Sequence, residues 1–192
     1  MRLTLPPLAA PIALTAALAL ASVGASAGEL TFQGVTFTTS FSGNVLTLEI
    51  DAAHPTGDWA TATTLGALGI KDVGTFDSAI LSAAPAGASG WSLNNNELSA
   101  NGCDSGGNPI RTLCAFGSHV SLSDDMVFKF TFTGGAQDFT SPFLKVAFYN
   151  GDGTQKVGSL LSQTIPAIPE PASYGLLLAG LGLVGLLARR KA

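Results

Sequence analysis

The sequence MVFKFTF at Met126–Phe132 decides the fold class of this chain. Its four strongly apolar residues alternate with Val127, Lys129 and Thr131. Successive side chains of a β-strand point to opposite faces, so the four apolar residues share one face and the other three share the opposite face. This period of two predicts a half-buried strand.

Segments of the same kind lie on both sides of it. Val45–Ile50 alternates more loosely, Phe143–Tyr149 is a further apolar run, and apolar residues are spaced among Thr, Ser and Gln at positions 30–41. Turn-forming clusters such as Asn94–Asn96 separate these segments. They predict an all-β domain, an antiparallel β-sandwich with a jelly-roll-like arrangement as one option. Ala60–Ile70 is ambiguous, because a short helix also fits it.

Two cysteines, Cys103 and Cys114, lie in an Asn- and Gly-rich segment of this domain. A zinc site would need more ligands, and the segment has neither a CxxC pair nor a nearby pair of histidines. The two chain ends, described below, indicate export to an oxidising compartment, where an even count favours a disulfide between them. Closing a loop of about 12 residues would stabilise the fold by roughly 3 kcal/mol in the chain-entropy model.

The C-terminal segment has the composition of a membrane anchor. Ala172–Ala188 is an uncharged apolar run of about 17 residues, which as a helix spans roughly 26 Å, the low end for crossing a bilayer. Arg189, Arg190 and Lys191 follow it, and basic flanks stay on the cytoplasmic side. A buried core helix is the alternative. The uniformly apolar run with three cations after it favours a transmembrane helix over 172–188, with the folded part across the membrane.

The N-terminal segment has the pattern of a signal peptide. Arg2 gives a short positive region, Leu3–Val23 is apolar, and Ala25-Ser26-Ala27 fits the small-residue pattern of a cleavage site. We therefore predict a signal peptide over residues 1–27 and a mature chain that begins at Gly28. An uncleaved anchor is the alternative.

Residues 169–192 resemble the C-terminal sorting signal of PEP-CTERM proteins, which belong to Gram-negative bacteria that make extracellular polysaccharide. The resemblance implies export, a transient anchor in the inner membrane, and removal of the helix by an exosortase, an integral-membrane cysteine protease that recognises the tripeptide. It places these residues in the sorting motif: Pro169, Glu170, Pro171, Arg189, Arg190 and Lys191. These proteins share a tail and not a common body, so no activity is transferred to the rest of the chain.

Between the two signals lies a secreted body, residues 28–168, of about 140 residues, which is the size of one domain. It contains five basic and twelve acidic side chains, hence a formal charge of −7. A nucleic-acid partner requires clustered Lys and Arg, so the composition argues against one. An acidic body suits a soluble exported protein.

One set of residues resembles a protease triad. Ala52-Ala53-His54 and Asp104-Ser105-Gly106-Gly107 are similar to the histidine and serine signatures of trypsin-like proteases, in which His54 would take the proton of Ser105. However, the body is too short for two packed barrels, the signatures are only about 50 residues apart, and Cys103 stands where Gly is usual. A disulfide-tied turn explains the serine segment without chemistry, so we predict no catalytic residues.

Acidic loops offer oxygen ligands that would suit Ca²⁺. Asp51, His54 and Asp58 share one loop, and Asp124-Asp125 and Asn150/Asp152 form two more. None has a dense ligand spacing, and turn formation by Asp and Asn is the simpler role. We therefore predict no metal and no cofactor, with Ca²⁺ as the weaker alternative.

Aromatic residues are the remaining binding candidates. Trp59 and Trp91 would contact a glycan by stacking on sugar rings if they were exposed, whereas core packing is the simpler role for a Trp in a small β domain. His119 has no evident partner and is assigned to a strand edge.

Together these observations favour a non-enzymatic surface or extracellular-matrix protein that is associated with exopolysaccharide or biofilm. A carbohydrate-binding module is the second hypothesis, and an exported hydrolase is the third. Exposed coplanar aromatic rings beside polar loops would favour the second. A cleft with paired carboxylates about 5–9 Å apart would favour a glycosidase.

Overall fold

The computed structural model describes residues 27–151, 153, 155–158, 161–168 and 181. This part of the chain forms β-strands and a short 3₁₀ helix, Gly57–Trp59. The strands are β1 Ala27–Phe32, β2 Val35–Ser42, β3 Val45–Asp51, β4 Thr64–Lys71, β5 Ser78–Ala83, β6 Ser92–Asn94, β7 Glu97–Ser99, β8 Gly102–Ser105, β9 Thr112–Ser121, β10 Met126–Thr133, β11 Phe143–Tyr149, β12 Leu161–Thr164 and β13 Ala167–Ile168.

The strands form two large sheets and one small hairpin. The first sheet has the order β13-β1-β2-β3-β10-β5, and the second has the order β12-β11-β4-β9-β6. Strands β7 and β8 form a separate hairpin, called the β7–β8 hairpin below. Neighbouring strands are antiparallel throughout the part of the chain that the structure describes. The prediction of an all-β, antiparallel fold is confirmed.

The main hydrophobic core lies between the two large sheets. Phe128 and Phe130 of β10 are paired with Leu48 and Leu46 of β3, and all four side chains are buried. From the second sheet, residues such as Leu68 contribute to the same core. Lys129, which alternates with the two phenylalanines, is exposed. The period-two pattern therefore sets which face of β10 enters the sandwich.

Strand β4 resolves the ambiguous segment Ala60–Ile70. The 3₁₀ helix ends at Trp59, and Thr64–Lys71 is a central strand paired with β11 and β9. Six consecutive residues of this strand are buried. A strand that is covered on both faces reads as a continuous apolar run, and such a run has no period of two that would distinguish it from a helix.

The ends of the body meet at one edge of the first sheet. Ala27 of β1 lies opposite Ile168 of β13, and Gly28 lies opposite Ala167. In an antiparallel pair the start of one strand faces the end of the other, so Ala27 and Ile168 lie side by side. The predicted signal peptide up to Ser26, the sorting residues and the anchor 172–188 lie outside the described residues. Among those described, no helix is long and apolar enough to span a membrane.

Candidate functional site

The β7–β8 hairpin is attached to the outer face of the second sheet by a disulfide. Cys103 of β8 and Cys114 of β9 are bonded, with their Cα atoms 5.7 Å apart. Both are buried and pack with Ala67, Leu98 and Ala147 in a small second core, separate from the main one. The predicted disulfide is therefore present, and it covers part of a sheet face that would otherwise meet solvent.

An ion-pair cluster attaches the other end of the hairpin. Glu97 of β7 accepts hydrogen bonds at Oε1 from Lys145 Nζ at 2.5 Å and from Lys71 Nζ at 3.2 Å. Lys145 Nζ also donates to the Leu98 carbonyl at 3.2 Å. The hydrogen bonds from Lys145 and then Lys71 hold the pKa of Glu97 below its ordinary value. The hairpin is thus held to the sheet by a covalent bond and by charge.

Beside the hairpin, the outer face of the second sheet opens into a cleft of ≈ 410 Å³. This volume lies in the range of small-molecule sites, about 300–1,000 Å³. Its lining includes three aromatic side chains of the sheet and two polar side chains of the hairpin: Phe116, His119, Tyr149, Asn101 and Asp104. We call this the outer-face cleft.

Aromatic rings form the floor of the outer-face cleft. The rings of His119 and Tyr149 have centroids 4.2 Å apart and planes tilted by 36°. Phe116, on the same strand as His119, is 38% exposed. The floor therefore presents ring surface to solvent instead of burying it in the core.

Gly66 of β4 makes this floor possible. A Cβ at this position would lie 2.6 Å from Cε2 of Tyr149 and 2.7 Å from Nε2 of His119, so only glycine leaves room for both rings. The register of β4 also shifts here, between Leu65 and Ala67. Such β-bulges re-aim side chains and are frequent beside functional sites. The bulge and the glycine together explain why two rings can lie so close to the backbone of β4.

The hairpin turn supplies the polar wall of the cleft. Asn101 and Asp104 are exposed, and both are positioned by Ser99. The backbone N–H of Asn101 donates to Ser99 Oγ at 3.0 Å, and that hydroxyl donates to Asp104 Oδ1 at 3.2 Å. The wall thus offers an amide and a carboxylate next to the rings.

The glycan contacts predicted for Trp59 and Trp91 are not supported by the structure, because both side chains are buried. Trp59 packs edge-on against Phe148 at 4.8 Å and Phe32 at 5.3 Å. Trp91 lies 5.5 Å from Phe128, and its Nε1 donates to the Ser118 carbonyl at 2.8 Å. Neither ring offers a free face to a sugar, and core packing is the role that the structure shows.

The protease-like signatures fall in different regions. His54 is exposed in the loop after β3, with its backbone oxygen beside Gly34 of the β1–β2 turn. Asp104 lies on the β7–β8 hairpin, on the outer face of the second sheet. The side chain of Ser105 lies outside the described ones.

The carboxylates of two acidic loops hydrogen-bond to each other's backbone. Oδ1 of Asp51 accepts the N–H of Asp125 at 2.8 Å, and Oδ1 of Asp124 accepts the N–H of Ala53 at 3.0 Å. Asp51, Asp125 and Glu49 bring their carboxylates within 4.8 Å of one another. These two hydrogen bonds join the loop after β3 to the loop before β10, so the carboxylates connect segments that are distant in the chain. Asp152, from the third predicted loop, lies outside the described residues.

Sequence reasoning missed the cleft. His119 was expected to have no partner, but its ring packs at a tilt against that of Tyr149, which lies thirty positions later in the chain. Gly66 within an apolar strand was the available signal, because a strand glycine often marks a bulge or a close approach.

Comparison with known proteins identifies one segment of the chain. A family model described as a PEP-CTERM protein-sorting motif matches residues 167–191. Neither the curated proteins nor the solved structures gave a match. The motif covers the predicted tripeptide, anchor and basic residues, and it implies processing by an exosortase after transit as a membrane-anchored form. This chain therefore carries a PEP-CTERM sorting motif and is an exosortase-sorted, exported protein.

Proposed function

We propose that this protein is a non-enzymatic component of the cell surface or extracellular matrix of a Gram-negative bacterium, and that it associates with exopolysaccharide. An exosortase delivers it by removing its C-terminal helix. The folded body is the part that acts outside the cell.

The arrangement of the chain ends supports delivery of an intact body. The sorting motif begins at Ala167, in the last strand of the first sheet, and that strand is paired with β1. Cleavage near Pro169-Glu170-Pro171 and at the predicted signal site would remove Ala27 from β1 but leave the rest of both strands, with Gly28 still opposite Ala167. The released domain would keep both sheets, the hairpin and the disulfide.

The outer-face cleft is the observation that carries the polysaccharide association, and it favours a carbohydrate-binding module. The exposed rings of Phe116 and His119 and the half-buried ring of Tyr149 lie beside a polar turn. Sugars present apolar C–H faces and polar hydroxyls together, so a site of rings and hydrogen-bonding groups matches them.

The same cleft is a poor fit to glycoside hydrolysis. Asp104 is the single carboxylate among its described lining residues, whereas most glycosidases use a pair. We expect His54→Ala and Ser105→Ala to keep the matrix association of the wild type. If the wild type cleaved peptides or glycans and Ser105→Ala abolished this cleavage, the non-enzymatic proposal would be contradicted.

The delivery step is tested by expressing the full chain in a Gram-negative host that has an exosortase and in the same host without it. Intact mass of the extracellular protein should match a species from near Gly28 to near Pro169-Glu170-Pro171, and the product should cosediment with polysaccharide. Retention of the full C-terminal helix on released protein would contradict the proposal. Identical products from the two hosts would do the same.

A further inference from the structure

We propose that the outer-face cleft binds a pyranose unit of a neutral polysaccharide, with the sugar ring on Phe116 and the His119–Tyr149 pair. This inference rests on the proposed polysaccharide association and assigns it to a site and a substrate class. It places the contact on residues other than the two tryptophans.

The floor is shaped for a flat apolar face. Gly66 lets the Tyr149 and His119 rings lie close to the backbone of β4, with centroids 4.2 Å apart. Gly153 supports His119 from another side, since a Cβ there would lie 2.5 Å from Nδ1 of that ring. The rings are therefore held in place before a ligand arrives, which lowers the entropy cost of binding.

The wall is shaped for hydroxyl groups. Asn101 offers a side-chain donor and acceptor, and Asp104 offers carboxylate acceptors at the rim. The Cys103–Cys114 disulfide joins the strand that carries Asp104 to the strand that carries Phe116. The distance between wall and floor is thus covalently limited, so the hydroxyl contacts and the ring contacts form together.

The charge of the site selects a neutral sugar over an anionic one. Neither Lys nor Arg occurs among the described lining residues, and Asp104 is negative. A uronate carboxylate would be desolvated here without a cationic partner, which is costly. The acidic body, with its formal charge of −7, would also repel a polyuronate at long range.

The test uses the full chain in a zwitterionic detergent without a sugar headgroup, so its outcome is independent of processing. Calorimetric titration with hexasaccharides of β-1,4-glucose, β-1,4-mannose and α-1,6-glucose is compared with hexagalacturonate. At least one neutral hexasaccharide should bind at concentrations up to about 1 mM. It should bind at least about tenfold more tightly than the polyuronate.

Phe116→Ala is the main variant, and Ile80→Ala is its matched control. Ile80 is also an apolar strand residue and is 60% exposed, but it lies on β5 at the edge of the first sheet. Phe116→Ala should weaken binding at least about tenfold, a typical loss for a central aromatic contact. Ile80→Ala should stay within about twofold of the wild type. Asp104→Asn tests the polar wall in the same titration. Thermal unfolding checks that each variant is folded.

The outcomes separate the site from the broader function. If Phe116→Ala and Asp104→Asn leave the affinity for neutral hexasaccharides unchanged, the assignment of binding to the outer-face cleft is wrong. The proposed polysaccharide association would still stand. Tighter binding of hexagalacturonate overturns the assignment to neutral sugars. A wild type that binds none of the neutral hexasaccharides overturns this inference, whereas a failure of exosortase processing overturns only the delivery step.

Discussion

The outer faces of the two large sheets differ in composition and in how far other parts of the chain cover them. On the first sheet, Thr38, Glu49 and Lys129 alternate with buried residues, and each is partly or fully exposed. On the second, Ala67 and Ala147 face outward, yet both are buried beneath the β7–β8 hairpin. The first sheet thus has one buried face, whereas the second has one buried face and one that is partly covered. The second sheet carries the cleft because its cover is incomplete.

The largest expected difference in stability is between two variants that place a charge on one outer face or on the other. Ala147→Lys would bury an unpaired ammonium group under the hairpin, and we expect a loss of about 4 kcal/mol or more in unfolding free energy. Thr38→Lys is the matched change on the first sheet, where Thr38 lies opposite Glu29 and Glu49. It should change stability by less than about 0.5 kcal/mol. Urea unfolding measures both, and equal losses would show that the faces do not differ.

Removal of the disulfide should have the next largest effect on the unfolding free energy. Replacing both Cys103 and Cys114 by Ala should lower the unfolding free energy by roughly 3 kcal/mol, or about 10 °C in Tm for a domain of this size. Hydrogen exchange should show the loosening at the β7–β8 hairpin and at β9, and little change in β2 or β3. A double variant as stable as the wild type would contradict the view that the hairpin depends on this bond.

Gly66→Ala tests the cleft floor without changing its rings. The added Cβ would displace Tyr149 and His119, at a cost of about 1–3 kcal/mol for overpacking. Gly90 is the control position, since a Cβ there meets no atom within 4 Å. Thermal unfolding should therefore separate Gly66→Ala from Gly90→Ala, and NMR should show movement of the His119 and Tyr149 ring signals only in the former.

The smallest expected effect belongs to Glu97, whose side chain is 30% exposed. Because its pKa is lowered in the folded state, its stabilising effect is complete above the ordinary value of 4.5 and is lost as pH falls through the lower folded-state pKa. Glu97→Gln should be less stable than the wild type at pH 7, and the difference should shrink below about pH 4.5. A difference in Tm that is constant from pH 7 to pH 3 would rule out this origin.

The difference between the two outer faces also explains which features could be predicted from the sequence. MVFKFTF predicted β10 and its buried face because one side of that strand meets solvent. The apolar run in β4 carried no such alternation, because the main core covers one face and the hairpin covers the other. Cys103 and Cys114 were predictable as a pair since they are close in the chain. The contact between the His119 and Tyr149 rings was not predictable, because a long-range register and a bulge at Gly66 create it.

The measurement that tests the account most directly is an NMR titration of the isotope-labelled protein with the neutral hexasaccharide that binds most tightly. Shifts should be largest on the open outer face of the second sheet, at Phe116, His119, Tyr149 and Asn101, and small at Thr38 and Lys129 of the first sheet. Shifts centred on the first sheet, or spread evenly over both, would contradict the claim that the partly covered face is the binding face.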